Sequence, residues 1–499
     1  MSLAQPALTM RNCETGKGEK MKTRKMYWVT CGLVVLLLIS GTRVSAQSGP
    51  NRFVPFNEFV ANTATAVFVP STGRVTDTAS GGGVGAGSHR VSDAASFEQM
   101  RKHILDLYQG VHVSHSFAVG VQTYDCMAID QQPAVRLRGL KGIAATPPAS
   151  AAPASGAAGV NSGGQQPGQA SVASIVPSGV DSFGNAIGCP DKTVPIGRTT
   201  LEQMSQFPTL QAFLSKGPDG KGKAPVPMAP KPSSASAASA GFDRFIPPSP
   251  VEHKYNYTYQ WVYNLGGNST LSINNPYVYT PWGEVFSLSQ VWYIGYRSGA
   301  TQTVEAGLQV YPGRLGDEQP HLFAYYTADG YSSTGCYDYG CGAFVQYSGS
   351  LFLGVAFSPV STPGGAQYEL PIKWEWWSGN WWLQVNGTWV GYYPGSLFGG
   401  GDMATHSVLA EFGGELVGGS GTSYNYYPPM GSGNWGASGW PWAAYQRQIW
   451  YFDGAYGSHS PSLSSMVNTC SGGTSTSGPS WGGSDWQIYF FFGGPGGWC

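Results

Sequence analysis

The sequence predicts an all-β fold for the C-terminal half of the chain, from His253 onward. Ten segments of strand length follow one another there, and clusters of Gly, Pro, Asn or Ser separate them at roughly ten-residue spacing. This spacing is typical of a sandwich or a barrel rather than of a βαβ fold. The predicted strands are residues 255–262, 270–273, 285–293, 303–310, 322–327, 343–347, 370–377, 380–385, 408–417 and 487–492.

The N-terminal residues 1–46 have the pattern of a secretory signal peptide. Basic residues precede an apolar run over residues 28–39, and Val44-Ser45-Ala46 is a small-residue cleavage site. The run is too short to cross ~30 Å of hydrocarbon, and no second apolar stretch of membrane length follows. We therefore expect a secreted, extracellular protein with no membrane partner once the signal peptide is removed.

Between the signal peptide and the β-rich half, the sequence predicts a small α+β region over residues 96–215. Helical spacing of apolar residues marks a helix at 96–108, with Ser96 as its cap, and an extended stretch follows at 116–129. The flanking residues 47–95 have little periodicity and are predicted to be irregular.

Two stretches in this part of the chain have the composition of flexible segments. Residues 143–182 are rich in Ala, Gly, Ser and Pro and form a predicted insert, after which a short helix is expected near 201–214. Residues 216–250 are the predicted linker to a single large domain at 251–499.

Six cysteines remain after the signal peptide, an even number that allows fifteen pairings in an oxidising compartment. Their order along the chain suggests the pairs Cys126–Cys189, Cys336–Cys341 and Cys470–Cys499. Three Asn-x-Ser/Thr triplets, at Asn256, Asn268 and Asn386, are candidate glycosylation sites and predict surface loops.

The charge of the chain excludes some partners, and the spacing of its possible ligand residues bears on metals and cofactors. Residues 251–499 hold 5 basic and 14 acidic side chains, so this half offers no basic face for nucleic acid. Charged residues are 11% of the whole chain, against a usual ~25%, so each acid of the folded part is of interest. No cluster with metal-ligand spacing is found, and we expect neither a metal nor a cofactor.

Two predicted strands carry acids on the face opposite their apolar residues. In the strand 303–310, Val304, Ala306, Leu308 and Val310 form one face and Glu305 lies on the other, beside a glycine. In the strand 408–417, Glu411 and Glu415 share a face with Gly413. The glycines are expected to keep the space near the acids open to a substrate backbone.

These motifs resemble the neprosin family of glutamic prolyl endopeptidases. The resemblance rests on Glu305-Ala306-Gly307, on Cys336 and Cys341 with the residues around them, on 380–384 and on 411–415. Residues 125–134 and 189–200 are similar to the activation-peptide domain of that family. The chain departs from the family at Leu308 and Phe412, where Trp is usual. We expect these two departures to affect substrate preference more than the chemistry.

The resemblance implies a two-sheet antiparallel β-sandwich with a concave groove, made as a zymogen and active on proline-containing peptides. Glu305 and Glu411 would be the catalytic pair, with Glu415 as a supporting or alternative acid. Two carboxyl groups held side by side in a catalytic pair do not both ionise readily, so one would hold a proton and the other would act as base. Activity is therefore expected on the acid side, although the sequence does not assign the two roles.

The same resemblance implies that residues 96–215 act as an intramolecular inhibitor that covers the groove. Maturation is expected in the linker, near Pro248 and Pro250. Two other functions fit the residues alone: a carbohydrate-active sandwich that uses paired glutamates in an aromatic groove, and a silent extracellular binding module.

Overall fold

The computed structural model describes residues 52–69, 91–140, 143, 146–149, 171–172, 179–217, 252–280, 283–418 and 426–499. The predicted signal peptide and the maturation prolines Pro248 and Pro250 lie outside these residues. All of the described residues belong to one compact unit, Arg52–Cys499.

The N-terminal part of this unit combines a three-stranded sheet with short helices, as the sequence predicts. The sheet has the order β1-β2-β4, and the disulfide Cys126–Cys189 joins β2 to the segment before β4. The elements are α1 (Phe56–Thr65), α2 (Ala94–Tyr108), β1 (Val113–Val119), β2 (Gln122–Ala128), α3 (Pro133–Arg136), β3 (Ser171–Val172), β4 (Thr193–Gly197), α4 (Leu201–Met204) and α5 (Leu210–Leu214).

Three local predictions in this region are wrong. Helix α1 lies in a segment predicted to be irregular, because its apolar residues Phe56 and Phe59 are buried by tertiary contacts rather than marked by a long periodic pattern. Helix α2 is capped by Asp93, whose carboxylate accepts the backbone N–H of Ser96 at 2.8 Å, and not by Ser96 itself. The single extended stretch at 116–129 is a hairpin of β1 and β2.

The C-terminal part is the predicted two-sheet β-sandwich, and its fold class is confirmed. Among the described residues of this part, the α-helices are the four-residue α6 and α7, and short 3-10 helices lie at Gly395–Phe398, Asp402–Ala404 and Gly436–Ser438, although no helix was expected here. The elements are β5 (Glu252–Asn264), β6 (Gly266–Ser272), β7 (Glu284–Arg297), β8 (Ala300–Val310), α6 (Pro312–Leu315), β9 (His321–Thr327), β10 (Cys336–Tyr337), β11 (Val345–Gln346), β12 (Tyr368–Trp377), β13 (Asn380–Val385), β14 (Thr388–Pro394), β15 (Ser407–Gly418), β16 (Tyr426–Tyr427), β17 (Ala444–Phe452), β18 (Ser458–His459), β19 (Ser464–Asn468), β20 (Ser475–Trp481), α7 (Gly483–Trp486), β21 (Ile488–Gly493) and β22 (Gly497–Trp498).

The first sheet has seven strands in the order β10-β9-β8-β7-β15-β5-β19. The second has the path β11-β14-β13-β12-β6-β17-β21-β20, with β18 beside β17 and β3 beside β12. Neighbouring strands pair antiparallel, and the β3–β12 pair is parallel. Strands β14, β17, β19 and β20 were not predicted, because Gly, Pro or polar residues interrupt their alternation.

The core lies between the two sheets and explains the alternation seen in the sequence. Val304, Ala306 and Leu308 of β8 belong to the same buried cluster as Leu370 and Ile372 of β12. Trp374 and Trp381 are fully buried in this cluster, so these two tryptophans serve in packing rather than in lining an open groove. The residues between them on β8, including Glu305, point to the opposite face of the first sheet.

The N-terminal region covers that opposite face. A second buried cluster joins apolar residues of the helices α1, α2, α4 and α5 to aromatic and aliphatic residues of the first sheet. Its members include Phe56, Met100, Ile104, Leu107, Phe207 and Phe213 from the N-terminal region, and Phe286, Leu288, Phe323, Tyr325, Tyr331 and Tyr337 from the sandwich. The face that carries the acids is therefore buried under residues 52–217.

Candidate active site

The register of three neighbouring strands brings Glu305 and Glu411 to one face. Strand β7 lies between β8 and β15, and its Trp292 is paired with Glu305 on one side and with Glu411 on the other. Directly paired residues project to the same face, and neighbouring strands lie ~4.8 Å apart. The two acids therefore flank Trp292, with their backbones about two strand spacings apart.

Glu305 is fully buried and lies among hydrogen-bond donors. Its Oε1 accepts the hydroxyl of Tyr331 at 2.7 Å and that of Thr303 at 2.8 Å. Its Oε2 accepts a short hydrogen bond from the ammonium group of Lys216. The N-terminal region buries this face of the strand.

Glu415 lies further along the same face of β15 and is also fully buried. Its Oε2 is 2.6 Å from Lys216 Nζ and accepts Gln290 Nε2 at 3.0 Å. Its Oε1 lies 2.6 Å from His253 Nδ1. Burial alone would raise the pKa of Glu415, but Lys216 and His253 outweigh burial and lower that pKa below its ordinary value.

Glu411 has the opposite electrostatic surroundings. Both carboxyl oxygens are buried, and neither finds a hydrogen-bond partner among the described residues. Burial, and then the nearby charge of Glu305, raise the pKa of Glu411 well above its ordinary value. Glu411 therefore holds a proton under conditions in which Glu415 does not.

Lys216 was predicted to begin the flexible linker, and the structure places it in the site instead. Its side chain is 1% exposed and its ammonium group bridges Glu305 and Glu415, 5.5 Å from the ring of Trp292. Arg314 Nη1 donates to the carbonyl of Phe213 at 2.6 Å, which fixes the chain just before Lys216. Burial would lower the pKa of Lys216, but the two carboxylates raise it, so the ammonium form is retained.

The glycines beside the acids do not open space for a substrate, contrary to the expectation from the sequence. A Cβ at Gly307 would lie 2.0 Å from the carbonyl oxygen of Ser289, and one at Gly413 would lie 2.3 Å from that of Asn256. Both contacts are to the backbone of a neighbouring strand. Glycine is required here because the strands approach closely.

The departures Leu308 and Phe412 also have a structural explanation. Both side chains belong to the core cluster between the two sheets. They point away from the face of Glu305 and Glu411, so they do not contact a molecule bound there.

The remaining predicted residues lie away from the acids. The structure joins Cys126–Cys189, Cys336–Cys341 and Cys470–Cys499, with Cα–Cα distances of 5.4, 5.9 and 5.0 Å. Of the three Asn-x-Ser/Thr sites, Asn386 is exposed in a turn between β13 and β14.

The other two sites do not lie in surface loops, so that part of the prediction is wrong. Asn256 is completely buried in β5, where its amide donates to the carbonyl of Ser475 at 3.0 Å. Asn268 is half-buried in β6 and donates to the carbonyl of Gln448 at 2.9 Å. An occupied glycan needs an exposed amide, which of these three only Asn386 offers.

Reasoning from the sequence missed residues outside β8 and β15 that contact the acids, among them Lys216, His253, Gln290 and Tyr331. No short motif connects them, since they come from four separate segments. Of these residues, only Gln290 could have been identified from the alternation pattern, because it lies two positions before Trp292 and therefore on the same face of β7. Within the described ranges, no group of three or more His, Cys, Asp or Glu could hold a metal ion, and no helix is long and apolar enough to cross a membrane.

Comparison with known proteins agrees with the resemblance noted in the motifs. Residues 283–495 match the model of the Neprosin family, and both Glu305 and Glu411 lie within that match. This confirms the resemblance over the matched residues and supports a glutamic-type peptidase. Among solved structures, a similar one is the crystal structure of Scytalido-glutamic peptidase with a peptide-based transition state analog. The identity is 10% and the TM-score 0.26, over 49% of this chain and 99% of that chain.

Proposed function

We propose that this chain is the precursor of a secreted, acid-active glutamic endopeptidase that cleaves peptide bonds after proline. The observation that carries the proposal is the pair of buried glutamates flanking Trp292, one surrounded by donors and the other kept neutral. The match to the Neprosin family supports the peptidase class, and the resemblance of the motifs supports the preference for proline.

The opposite surroundings of the two acids suggest their roles. Glu305 accepts hydrogen bonds from Tyr331 and Thr303, so it is suited to be the base that removes a proton from the attacking water. Glu411 holds its proton, so it is suited to donate a hydrogen bond to the carbonyl oxygen and then a proton to the leaving nitrogen. The two carboxyl groups would exchange protonation states over one cycle.

Trp292 is suited to assist at the carbonyl oxygen. It lies between the two acids in the register, and its buried indole N–H finds no acceptor among the described residues. A preorganised donor at this position would stabilise the negative charge that develops on the oxygen in the transition state.

The N-terminal region would keep the precursor inactive by two means. Its helices cover the acid-bearing face, and the ammonium group of Lys216 bridges Glu305 and Glu415. With an ammonium group on its Oε2, Glu305 would be a poor base, and no room is left for a water and a peptide. Residues 52–217 would therefore act as the intramolecular inhibitor, and cutting in the linker would be needed for activity.

The decisive experiment compares substrates on the processed enzyme at acid pH. A proline-containing peptide should be hydrolysed on the carboxyl side of proline, while an oligosaccharide should not. Glu305→Gln and Glu411→Gln should each reduce the rate by at least about a thousandfold, because the change removes a proton-transfer group and keeps the shape. Glu415→Gln should be milder.

The contrary results are equally specific. Hydrolysis of the oligosaccharide alone would replace the proposal by a glycoside hydrolase. A Glu415→Gln variant that is inactive, beside a Glu411→Gln variant that is active, would assign the second acid to Glu415. Near-normal rates in both the Glu305 and the Glu411 variants would rule out the glutamic mechanism.

A further inference from the structure

A row of aromatic side chains lies on the outer face of the second sheet, on the side opposite the acids. We define the aromatic face by Tyr347, Trp382, Trp389 and Tyr392. The ring centroid of Trp382 lies 4.6 Å from that of Tyr392, 5.3 Å from that of Tyr347 and 6.1 Å from that of Trp389. These residues form a cluster separate from the core between the sheets.

The N-terminal region covers the aromatic face as well as the acids. Ala134 and Val135 of α3 are buried in the same cluster, and Leu140 and Ile143 pack against it. The described chain resumes at residues 146–149, where Pro148 is buried. In the sequence, two prolines, Pro147 and Pro148, follow shortly after the segment seated on this face.

Two hydrogen bonds attach this covering segment to the edge of the second sheet. Gln132 Nε2 donates to the carbonyl of Gln346 at 3.0 Å, and the backbone N–H of Gln346 donates to Gln132 Oε1 at 2.7 Å. Arg138 Nε also donates to the carbonyl of Gly342, at 2.7 Å. The side-chain amide of Gln132 thus pairs with β11 as a strand backbone would, and it directs the chain onto the aromatic face.

The segment leaves two donors of the aromatic face unpaired. The indole N–H groups of Trp382 and Trp389 are buried, and neither finds an acceptor among the described residues. Buried indole N–H groups usually have an acceptor, and leaving one unpaired costs free energy. The apolar side chains of Ala134 and Val135 cannot supply a hydrogen-bond acceptor to these indoles.

We propose that the aromatic face of the processed enzyme is an exosite that binds an extended proline-containing segment of the substrate. Proline-rich chains adopt an extended helix without internal hydrogen bonds, so all of their carbonyl groups remain free to accept. Such chains dock on aromatic grooves, with ring–ring contact to proline. Trp382 and Trp389 provide both the rings and the free donors.

This inference rests on the proposed function, in which the substrate contains proline and the N-terminal region leaves after processing. It adds a second binding site for the substrate, on the opposite sheet.

The test measures binding without turnover. The full-length Glu305→Gln chain is cut in the linker with an added lysine-specific protease, and the N-terminal part is separated at acid pH. A twelve-residue proline-rich peptide and its counterpart with every proline changed to alanine are then titrated by calorimetry. We expect the proline peptide to bind at least tenfold more tightly than the alanine peptide.

Conservative variants locate the site of that binding. Trp389→Phe and Trp382→Phe keep an aromatic ring and remove the donor, so each should weaken binding about fivefold, as expected for one lost hydrogen bond. Trp261→Phe is the matched control, because Trp261 is a 51% exposed indole on the first sheet. It should leave the affinity unchanged.

Two results would overturn the exosite. One is equal affinity for the proline and the alanine peptide. The other is proline-dependent binding that neither Trp389→Phe nor Trp382→Phe weakens, which would place the peptide in the groove of the acids. Because the titration uses an inactive variant cut by another protease, its outcome is independent of whether the wild-type enzyme proves to be a peptidase.

Discussion

Lys216 balances the charge of the acid cluster in the precursor. Lys216→Met should weaken the closed form by about 3–5 kcal/mol, because it leaves Glu305 and Glu415 buried without their shared cation. We expect an added protease to cut the linker of this variant faster than that of the wild type at near-neutral pH. The cut products are followed over time by gel electrophoresis. Lys102→Met is the control, since the Lys102–Asp106 pair is exposed and should matter little. Equal rates in both variants would show that Lys216 does not hold the precursor closed.

Glu411 should set the alkaline limit of activity. An acid with a raised pKa is protonated below that pKa and loses its proton as the pH rises through it. If Glu411 donates the proton, the rate of peptide hydrolysis should be high in acid and fall as the pH rises. The measurement is the pH profile of kcat for the processed enzyme.

A second buried acid provides the control for this profile. Burial raises the pKa of Glu284 to about 7, so its titration could be mistaken for that of the catalytic group. The profile should be unchanged in Glu284→Gln. A fall in rate that disappears in this variant would mean that Glu284, and not Glu411, sets the limit.

Substitution of Trp292 measures how much a single hydrogen-bond donor between the two acids contributes to the catalytic rate. Trp292→Phe keeps most of the ring volume and removes the indole N–H, so kcat should fall by about 10²- to 10³-fold, as for the loss of one oxyanion donor. KM should change little, because the interaction is made mainly in the transition state. A larger effect on KM than on kcat would make Trp292 a residue that binds substrate in its ground state.

At the scale of the element, the strands that carry the acids could be predicted from the sequence. Alternation on β8 and β15 separated the core residues Val304 and Ala306 from Glu305, and likewise Phe412 from Glu411. Period-two alternation reports which face of a strand is buried against the core. It does not report that another part of the chain buries the second face as well.

The contacts that complete the site could not be predicted, for a related reason. Lys216 lies in a stretch whose composition is that of a linker, and its burial depends on two carboxylates that are 89 and 199 positions away. Helix α1 and the buried Asn256 were missed because tertiary packing overrides local composition. Such contacts belong to the fold and leave no local pattern.

The motif residues Asp125 and Arg198 hold the N-terminal region together. Arg198 makes hydrogen bonds of 2.8 and 2.5 Å to the two oxygens of Asp125, donates to the carbonyl of Val54 at 2.6 Å, and lies 4.9 Å from the ring of Phe59. It thereby joins β2, the end of β4 and helix α1.

Removing this charge should loosen the whole N-terminal region. Arg198→Met leaves Asp125 buried and unpaired, so the region should lose about 3–5 kcal/mol of stability against urea, measured by circular dichroism. Arg101→Met removes the more exposed pair with Glu98 and serves as the control, with a loss below about 1 kcal/mol. Similar losses in the two variants would show that the buried pair has no special role.

At the scale of the whole molecule, acid should release the covering region from the acids. A carboxylate whose pKa is lowered in the folded state stabilises that state above its ordinary pKa, and this stabilisation is lost as the pH falls through the lowered value. Glu415 is such a group, because Lys216 and His253 lower its pKa. The contribution of Glu415 to the closed form should therefore be present near neutral pH and be lost in strong acid.

The last prediction is that the precursor cuts itself once acid has opened it. The linker ends in Ile246-Pro247-Pro248-Ser249-Pro250, just before β5. An enzyme that cuts after proline would find its preferred residue there, so the mature N-terminus should lie between Ser249 and His253. Purified wild-type precursor and its Glu305→Gln variant are incubated side by side at acid pH, and the new N-termini are sequenced. Only the wild type should be cut after Pro248 or Pro250. Equal processing of both forms, or cutting at the lysines of the linker, would assign maturation to another protease, because the variant lacks the base that the reaction needs.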